Sequence, residues 1–137
     1  MSQARITITG LKEFQRSLRQ MDADLPKQLR IALNGVSELV IQKARPEIPT
    51  RSGAARASLK VRSSQREARI AAGGRKAPYY PWLDFGGHVG QHGATSRPFY
   101  KEGRYIYPAL RKNRDEVTKL MVTAISDLAR GAGLAVD

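Results

Sequence analysis

Polar and apolar residues alternate through Arg5-Ile6-Thr7-Ile8-Thr9, the two-residue period of a half-buried strand. Gly10 ends the run. Leu11, Phe14, Leu18 and Met21 then recur at steps of three and four, which predicts an amphipathic helix of about three turns. Asp22 and Asp24 are candidate caps for a second helix, with Pro26 in its first turn, where the missing amide proton is no loss. The stripe Leu25, Leu29, Leu33, Val36, Leu39, Val40 and Ala44 makes this the longest helix in the pattern. Gly35 inside it costs about 1 kcal/mol against Ala, a cost often accepted where helices pack closely. Pro46 and Pro49 end it.

The period then shortens. Residues 57–62 alternate with Ala57, Leu59 and Val61 on one face, 63–67 are polar, and 68–73 place Ile70 and Ala72 on one side, which predicts a β-hairpin. Beyond Gly73-Gly74, Pro78 and Pro81 punctuate an aromatic turn carrying Tyr79, Tyr80, Trp82 and Phe85. Residues 87–104 are rich in glycine and lack periodicity, so they read as a long loop, and loops of more than about 12–15 residues in compact domains are usually functional. Tyr105-Ile106-Tyr107 reads as a last strand. Pro108 opens a final helix with the stripe Leu110, Val117, Leu120, Met121, Ala124 and Leu128 and the helical pair Asp115 and Lys119. Gly131 and Gly133 stop it, and residues 131–137 are expected to fray. The class is α+β: a small antiparallel sheet packed against two long amphipathic helices, with a short N-terminal helix and a long loop.

A chain of 137 residues that is 41% apolar suffices for one domain, residues 1–137, with one real core. It has no cysteine, which excludes disulfides, thiol catalysis and zinc ribbons. No apolar run approaches the roughly 20 residues that cross a bilayer, and the start lacks the apolar core of a signal peptide, so a soluble domain with no membrane partner is expected. The charge changes the picture more. Twenty-four Lys and Arg face 12 acidic residues, a net +12, and a charge so far from zero seeks nucleic acid, an acidic protein surface or a charged membrane.

Candidate chemistry is sparse. His88 and His92 stand four apart, the spacing of a helical metal pair, but Val89 occupies the place of the metalloprotease Glu and the surrounding glycines oppose a helix. The glycine-rich run 86–93 lacks the Gly-Lys-Ser/Thr ending of a phosphate-cradling loop. Asp84 has no second titratable group at catalytic spacing and reads as a structural pin that accepts backbone or Arg hydrogen bonds. Arg51, Lys60, Arg62, Arg66 and Arg69 give the predicted hairpin a basic face, with none of the interleaved aromatics of a single-strand reader. No nucleophile-and-base set emerges, so an enzyme is not expected, nor a metal, cofactor or small-molecule substrate.

Three blocks, in order, carry a resemblance. Pro49-Thr50-Arg51-Ser52-Gly53-Ala54-Ala55-Arg56-Ala57-Ser58-Leu59 is similar to a P-x-x-T-G-x-L-R-x-S-L signature, and residues 77–86, with Tyr79, Asp84, Phe85 and Gly86, are similar to an Ala/Pro-Tyr-…-Glu-Phe-Gly block. Tyr107-Pro108-Ala109-Leu110 is similar to a Pro-Ala-Leu that opens the last helix. Together, over roughly residues 5–130, they resemble the bacteriophage head–tail connector (neck, tail-completion) family founded by gene product ten of the Hong Kong lambdoid coliphage. Ser52, Ala55, Asp84 and Gly87 stand where that pattern has Thr, Leu, Glu and Thr, and the loop after Gly86 is longer.

The resemblance implies a non-enzymatic virion component at the head–tail junction, present in the host cytoplasm during assembly. It would form a homo-oligomeric ring, meet other neck and tail proteins and touch packaged DNA without sequence preference. Tyr80, Trp82, Phe99, Tyr100 and Arg104 are the candidate interface residues. The loop 87–104 is expected to add little to the core, to be mobile in an isolated subunit and to order against a neighbouring subunit or tail protein. The alternatives are a basic, sequence-independent nucleic-acid-binding module, argued from charge, and a remote metal-dependent hydrolase using His88 and His92.

Overall fold

The computed structural model describes residues 2–6, 11–21, 23–64, 67–131 and 133, with backbone alone at 2–6 and 11. The elements are β1 (Ser2–Ile6), α1 (Leu11–Met21), α2 (Leu25–Ala44), a 3-10 turn (Arg45–Glu47), α3 (Ala54–Ala57), β2 (Lys60–Val61), β3 (Ala68–Ala72), α4 (Tyr80–Phe85), β4 (Gly87–Val89), a second 3-10 turn (Gln91–Gly93), β5 (Thr95–Arg97), α5 (Ile106–Lys112) and α6 (Arg114–Gly131). The architecture is α+β, with several helices, two of them long, and small antiparallel sheets.

Helix α2 is the axis of the core. Its predicted stripe is buried at Leu25, Leu29, Leu33, Val36, Val40 and Ala44, and Pro26, Ser37 and Ile41 widen the buried face. Each large apolar side chain so buried contributes about 1.5–3 kcal/mol relative to exposure. That width lets α2 receive α1, α5 and α6 as well as β3. Ser37 Oγ shares a 3.0 Å hydrogen bond with Ser63 Oγ, which also accepts the Arg69 amide at 3.0 Å, so the helix is tied to the hairpin by a satisfied polar bridge. Gly35 is exposed, and a Cβ there would meet nothing within 4 Å, so close packing does not explain it. Asp24 precedes the helix without a side-chain cap bond, while Asp22 lies outside the described residues.

The sheet is ordered β1-β3-β2, antiparallel throughout. Ala68, Ile70 and Ala72 of β3 are buried as expected, but Ala71 is buried too, so the alternation holds only at its first residues. Of the strand expected at 5–9, Arg5 and Ile6 belong to β1, which begins at Ser2; Thr7–Gly10 lie outside the described residues. In α1, Leu18 is fully buried and Phe14 packs half-buried on the core, whereas Met21 is exposed.

Several expectations are corrected. The strand expected at 57–62 shrinks to Lys60–Val61, because Gly53, at φ +82°, starts a helical turn and the Ala57 amide donates to Gly53 O at 3.0 Å. Ala57 is therefore exposed. The aromatic turn is the helix α4. The strand expected at 105–107 is the start of α5, since the Ala109 amide donates to Tyr105 O at 3.0 Å. The final helix is two: Asn113 breaks it, and its Nδ2 donates to Ala109 O at 2.8 Å, closing α5. Residues 87–104 are not an aperiodic loop. They form the hairpin β4–β5 followed by a limb, 98–104. Of the tail expected to fray, Gly131 is the last residue of α6, and 132 and 134–137 lie outside the described residues.

Candidate assembly interface

The first block of the resemblance is a knot at the end of α2. Chain reversal after Pro49 leaves carbonyls at Pro46 and Ile48 without helical partners, and Arg56 takes both: Nε donates to Ile48 O at 2.6 Å and Nη2 to Pro46 O at 3.0 Å. Ser52 Oγ accepts the Ala54 amide at 3.3 Å, closing a short turn ahead of α3, whose N-cap position is Gly53. Ser58 Oγ donates to Ala55 O at 2.6 Å and accepts the Gly73 amide at 3.0 Å, fastening α3 to the exit of β3. Ala55 and Leu59 complete the knot by burying their side chains. Ser52, Gly53, Arg56 and Ser58 thus serve the fold's own connectivity.

Asp84 is the second knot. It is 1% exposed, and its three protein donors come from both sides of the 87–104 segment. Tyr80 Oη donates to Oδ2 at 3.0 Å from one turn earlier on α4. The Arg104 and Tyr105 amides donate to Oδ1 at 2.6 and 3.1 Å. Arg104 Nη1 adds a bond to Asp84 O at 2.9 Å, and its Nη2 donates to Pro98 O. The carboxylate therefore joins α4 to the head of α5, and the Tyr80 phenol is pushed well above its ordinary range, first by burial and then by the Asp84 charge it faces. Two glycines make room. A Cβ on Gly86 would collide with Pro98 O, and one on Gly103 with Asp84 Oδ1, both at positive φ.

Between these ties stands the hairpin. Trp82 Nε1 donates to Gly87 O at 3.1 Å, Arg97 lies over the Trp82 ring at 5.7 Å and donates to Tyr105 Oη at 3.1 Å, and the Tyr100 amide donates to Phe85 O at 2.8 Å. The base is clamped, while His88 to Gln91 and Ala94 to Ser96 are exposed. The limb 98–104 is thus part of the folded unit, contrary to the expectation that the whole segment adds little.

The five interface candidates divide. Tyr80 is fully buried and spent on Asp84; Trp82 is half-buried against Gly87; Arg104 turns inward, its guanidinium 4.2 Å from the Tyr100 ring centroid. Phe99 and Tyr100 stand out, at 67% and 53% exposure, side by side at the foot of the hairpin. Tyr79 is also exposed and Phe85 half-buried, while Pro108 and Ala109 sit in the first turn of α5, with Ala109 buried. Sequence reasoning missed Arg97 and Gly103. Their partners lie 15 and 19 residues back in the chain, Trp82 and Asp84, and no local period marks such a pairing.

Of the basic residues, Arg51, Lys60 and Arg62 are exposed, and Arg69 pairs with Glu67. Arg66 lies outside the described residues. The register sets Arg5 opposite Arg69, and the amide of Arg62, the residue after β2, donates to Arg69 O at 2.9 Å, so three arginines occupy adjacent backbone positions. Among the described residues, no three His, Asp or Glu side chains form a metal-binding cluster, and His88 and His92 are exposed. No described helix is long and apolar enough to cross a membrane. No family model, curated protein or solved structure matches the chain.

Proposed function

We propose that this chain is a non-enzymatic structural subunit of a tailed bacteriophage, forming a ring at the head–tail junction that joins the capsid connector to the tail. The observation that carries the reading is the division of labour around Asp84. Buried polar bonds hold the base of the hairpin rigid and point its foot outward, where Phe99 and Tyr100 present large aromatic area to solvent. Rigid aromatic anchors on a fixed scaffold are what protein interfaces use, and both oxygens of Asp84 are engaged in holding that scaffold together. The resemblance supplies the biological setting: the residues that carry it, Arg56, Ser58, Asp84 and Gly86, are those that build the scaffold. Neighbouring subunits in the ring and other neck and tail proteins are the partners.

A null allele in the phage genome that carries the gene tests this directly. Filled heads and finished tails accumulating apart, and joining when the purified chain is added, is the expected result. Normal yields of complete particles without the chain would overturn it.

A second reading has one observation in its favour: Arg5 and Arg69 are paired in the register of β1 and β3, Arg62 follows β2 beside them, and the Glu67 carboxylate that pairs with Arg69 balances one of these three charges. In that reading the outer face of the sheet contacts nucleic acid through its phosphates. Binding to two unrelated duplexes over a salt series tests it. Equal affinities that fall steeply with salt, and weaken with Lys60→Glu and Arg62→Glu, support it; salt-insensitive or base-selective binding counts against it.

A further inference from the structure

Helices α5 and α6 meet the limb 98–104 along a groove of about 750 Å³, too large for one side chain to fill. Its floor is apolar: Phe85 and Tyr107, with ring centroids 6.3 Å apart and planes tilted by 53°, continue into Leu110, Val117 and Met121. Of the floor residues only Val117 is fully buried. The rim is charged by Lys101, Glu102, Arg111 and Arg114. Glu102 pairs with Arg111, and no carboxylate among the described residues pairs with Lys101 or Arg114. The groove therefore offers an apolar trough bordered by two uncompensated cations.

We propose that this groove docks an amphipathic helix of a different protein, with apolar anchors on one face and carboxylates along its flanks. Shape supports a helix: Arg114, Val117, Thr118 and Met121 line the trough at steps of three and four along α6, the spacing at which the i, i+3, i+4 and i+7 anchors of a second helix interlock. Charge selects the sign. Lys101 and Arg114 attract carboxylates and repel the cations of a second copy, whose 24 basic residues outnumber its acidic ones two to one. A two-fold contact would set the same unpaired cations face to face. The partner is thus acidic and foreign, and this face stays free when copies associate through the hairpin.

The probe is a blocked synthetic helix of about five turns, with Leu at the anchor spacing and Glu elsewhere, compared with the same peptide carrying Lys for Glu. Fluorescence anisotropy with the full chain reads the binding, and thermal melting verifies the fold of each variant. The Glu peptide is expected to bind saturably at one per chain and at least tenfold tighter than the Lys peptide. Met121→Glu or Leu110→Glu should cost at least tenfold, and the double change Lys101→Glu with Arg114→Glu should reverse the preference between peptides. Equal binding of the two peptides, binding that Met121→Glu leaves unchanged, or no binding by either overturns the proposal. So does self-association of the chain that Met121→Glu abolishes, which would make a second copy the occupant. Because the assay uses the isolated chain, its failure leaves the head–tail reading standing, and normal phage assembly without the chain leaves the groove's specificity intact.

Discussion

The two long helices carry similar stripes and live in different surroundings. Helix α2 buries nine of its 20 residues and is touched by three helices and two strands; α6, 18 residues long, buries only Val117 and Ala129. Leu120 and Val122 are exposed on α6, and Met121 and Leu128 half-covered. A hydrophobic stripe records which face avoids water. It does not record what covers that face. In α2 the chain itself supplies the cover; in α6 part of the stripe is left open to solvent.

Matched truncations on the two helices break or sharpen that contrast. Leu33→Ala should cost about 2–5 kcal/mol in denaturant unfolding, the range for a large cavity in a closed core. Met121→Ala, whose side chain lines an open groove, should cost about 1 kcal/mol or less, because water already reaches the site. Equal costs would make α6 a core helix and end the argument for a docking groove.

The buried carboxylate gives the next effect. Asp84→Ala strands two amides and a phenol and should cost roughly 3 kcal/mol or more. Asp84→Asn keeps an acceptor for the amides and should cost roughly 1–2 kcal/mol. If both substitutions cost the same, the charge and not the acceptor geometry holds the limb that borders α6.

Tyr80 couples this knot to pH. Its phenol titrates higher folded than unfolded, so its contribution is complete below the unfolded value near 10 and is lost as pH rises beyond it. Stability should fall above about pH 10, and Tyr80→Phe, less stable at neutral pH through loss of the bond to Asp84, should fall less steeply. Identical alkaline slopes would show that Tyr80 ionises without strain. The smallest effect returns to α2: Gly35→Ala, with open space for its methyl, should stabilise by about 0.5–1 kcal/mol.

The contrast also explains what the sequence made legible. The period of α2 located Leu25, Leu29, Leu33, Val36, Val40 and Ala44, because a helix surrounded on several sides needs an uninterrupted stripe; it missed Ser37 and Ile41 and counted Leu39, which is half-buried. The β3 strand was readable for the same reason, and Asp84 was legible as an acceptor of backbone hydrogen bonds. The failures share a cause. Tyr105 and Ile106 look like strand residues, but Asp84, some 20 positions earlier, takes the Tyr105 amide that a strand would have used. The 87–104 segment has no hydrophobic period because clamps at its base, Trp82 with Arg97 and Asp84 with Arg104, hold it where a core normally would. Tyr80 was expected outside since aromatics beside prolines often are; its hydroxyl found a buried carboxylate instead.

The claim that most needs testing is that the clamped hairpin presents Phe99 and Tyr100 for self-assembly. Sedimentation velocity with particle imaging of the purified chain, beside the double variant Phe99→Ser with Tyr100→Ser, tests it most directly. The wild type should form closed rings of one size, and the variant should remain monomeric with its melting temperature within a few degrees of wild type. A wild-type chain that stays monomeric at every concentration, or a variant that forms the same rings, would contradict it.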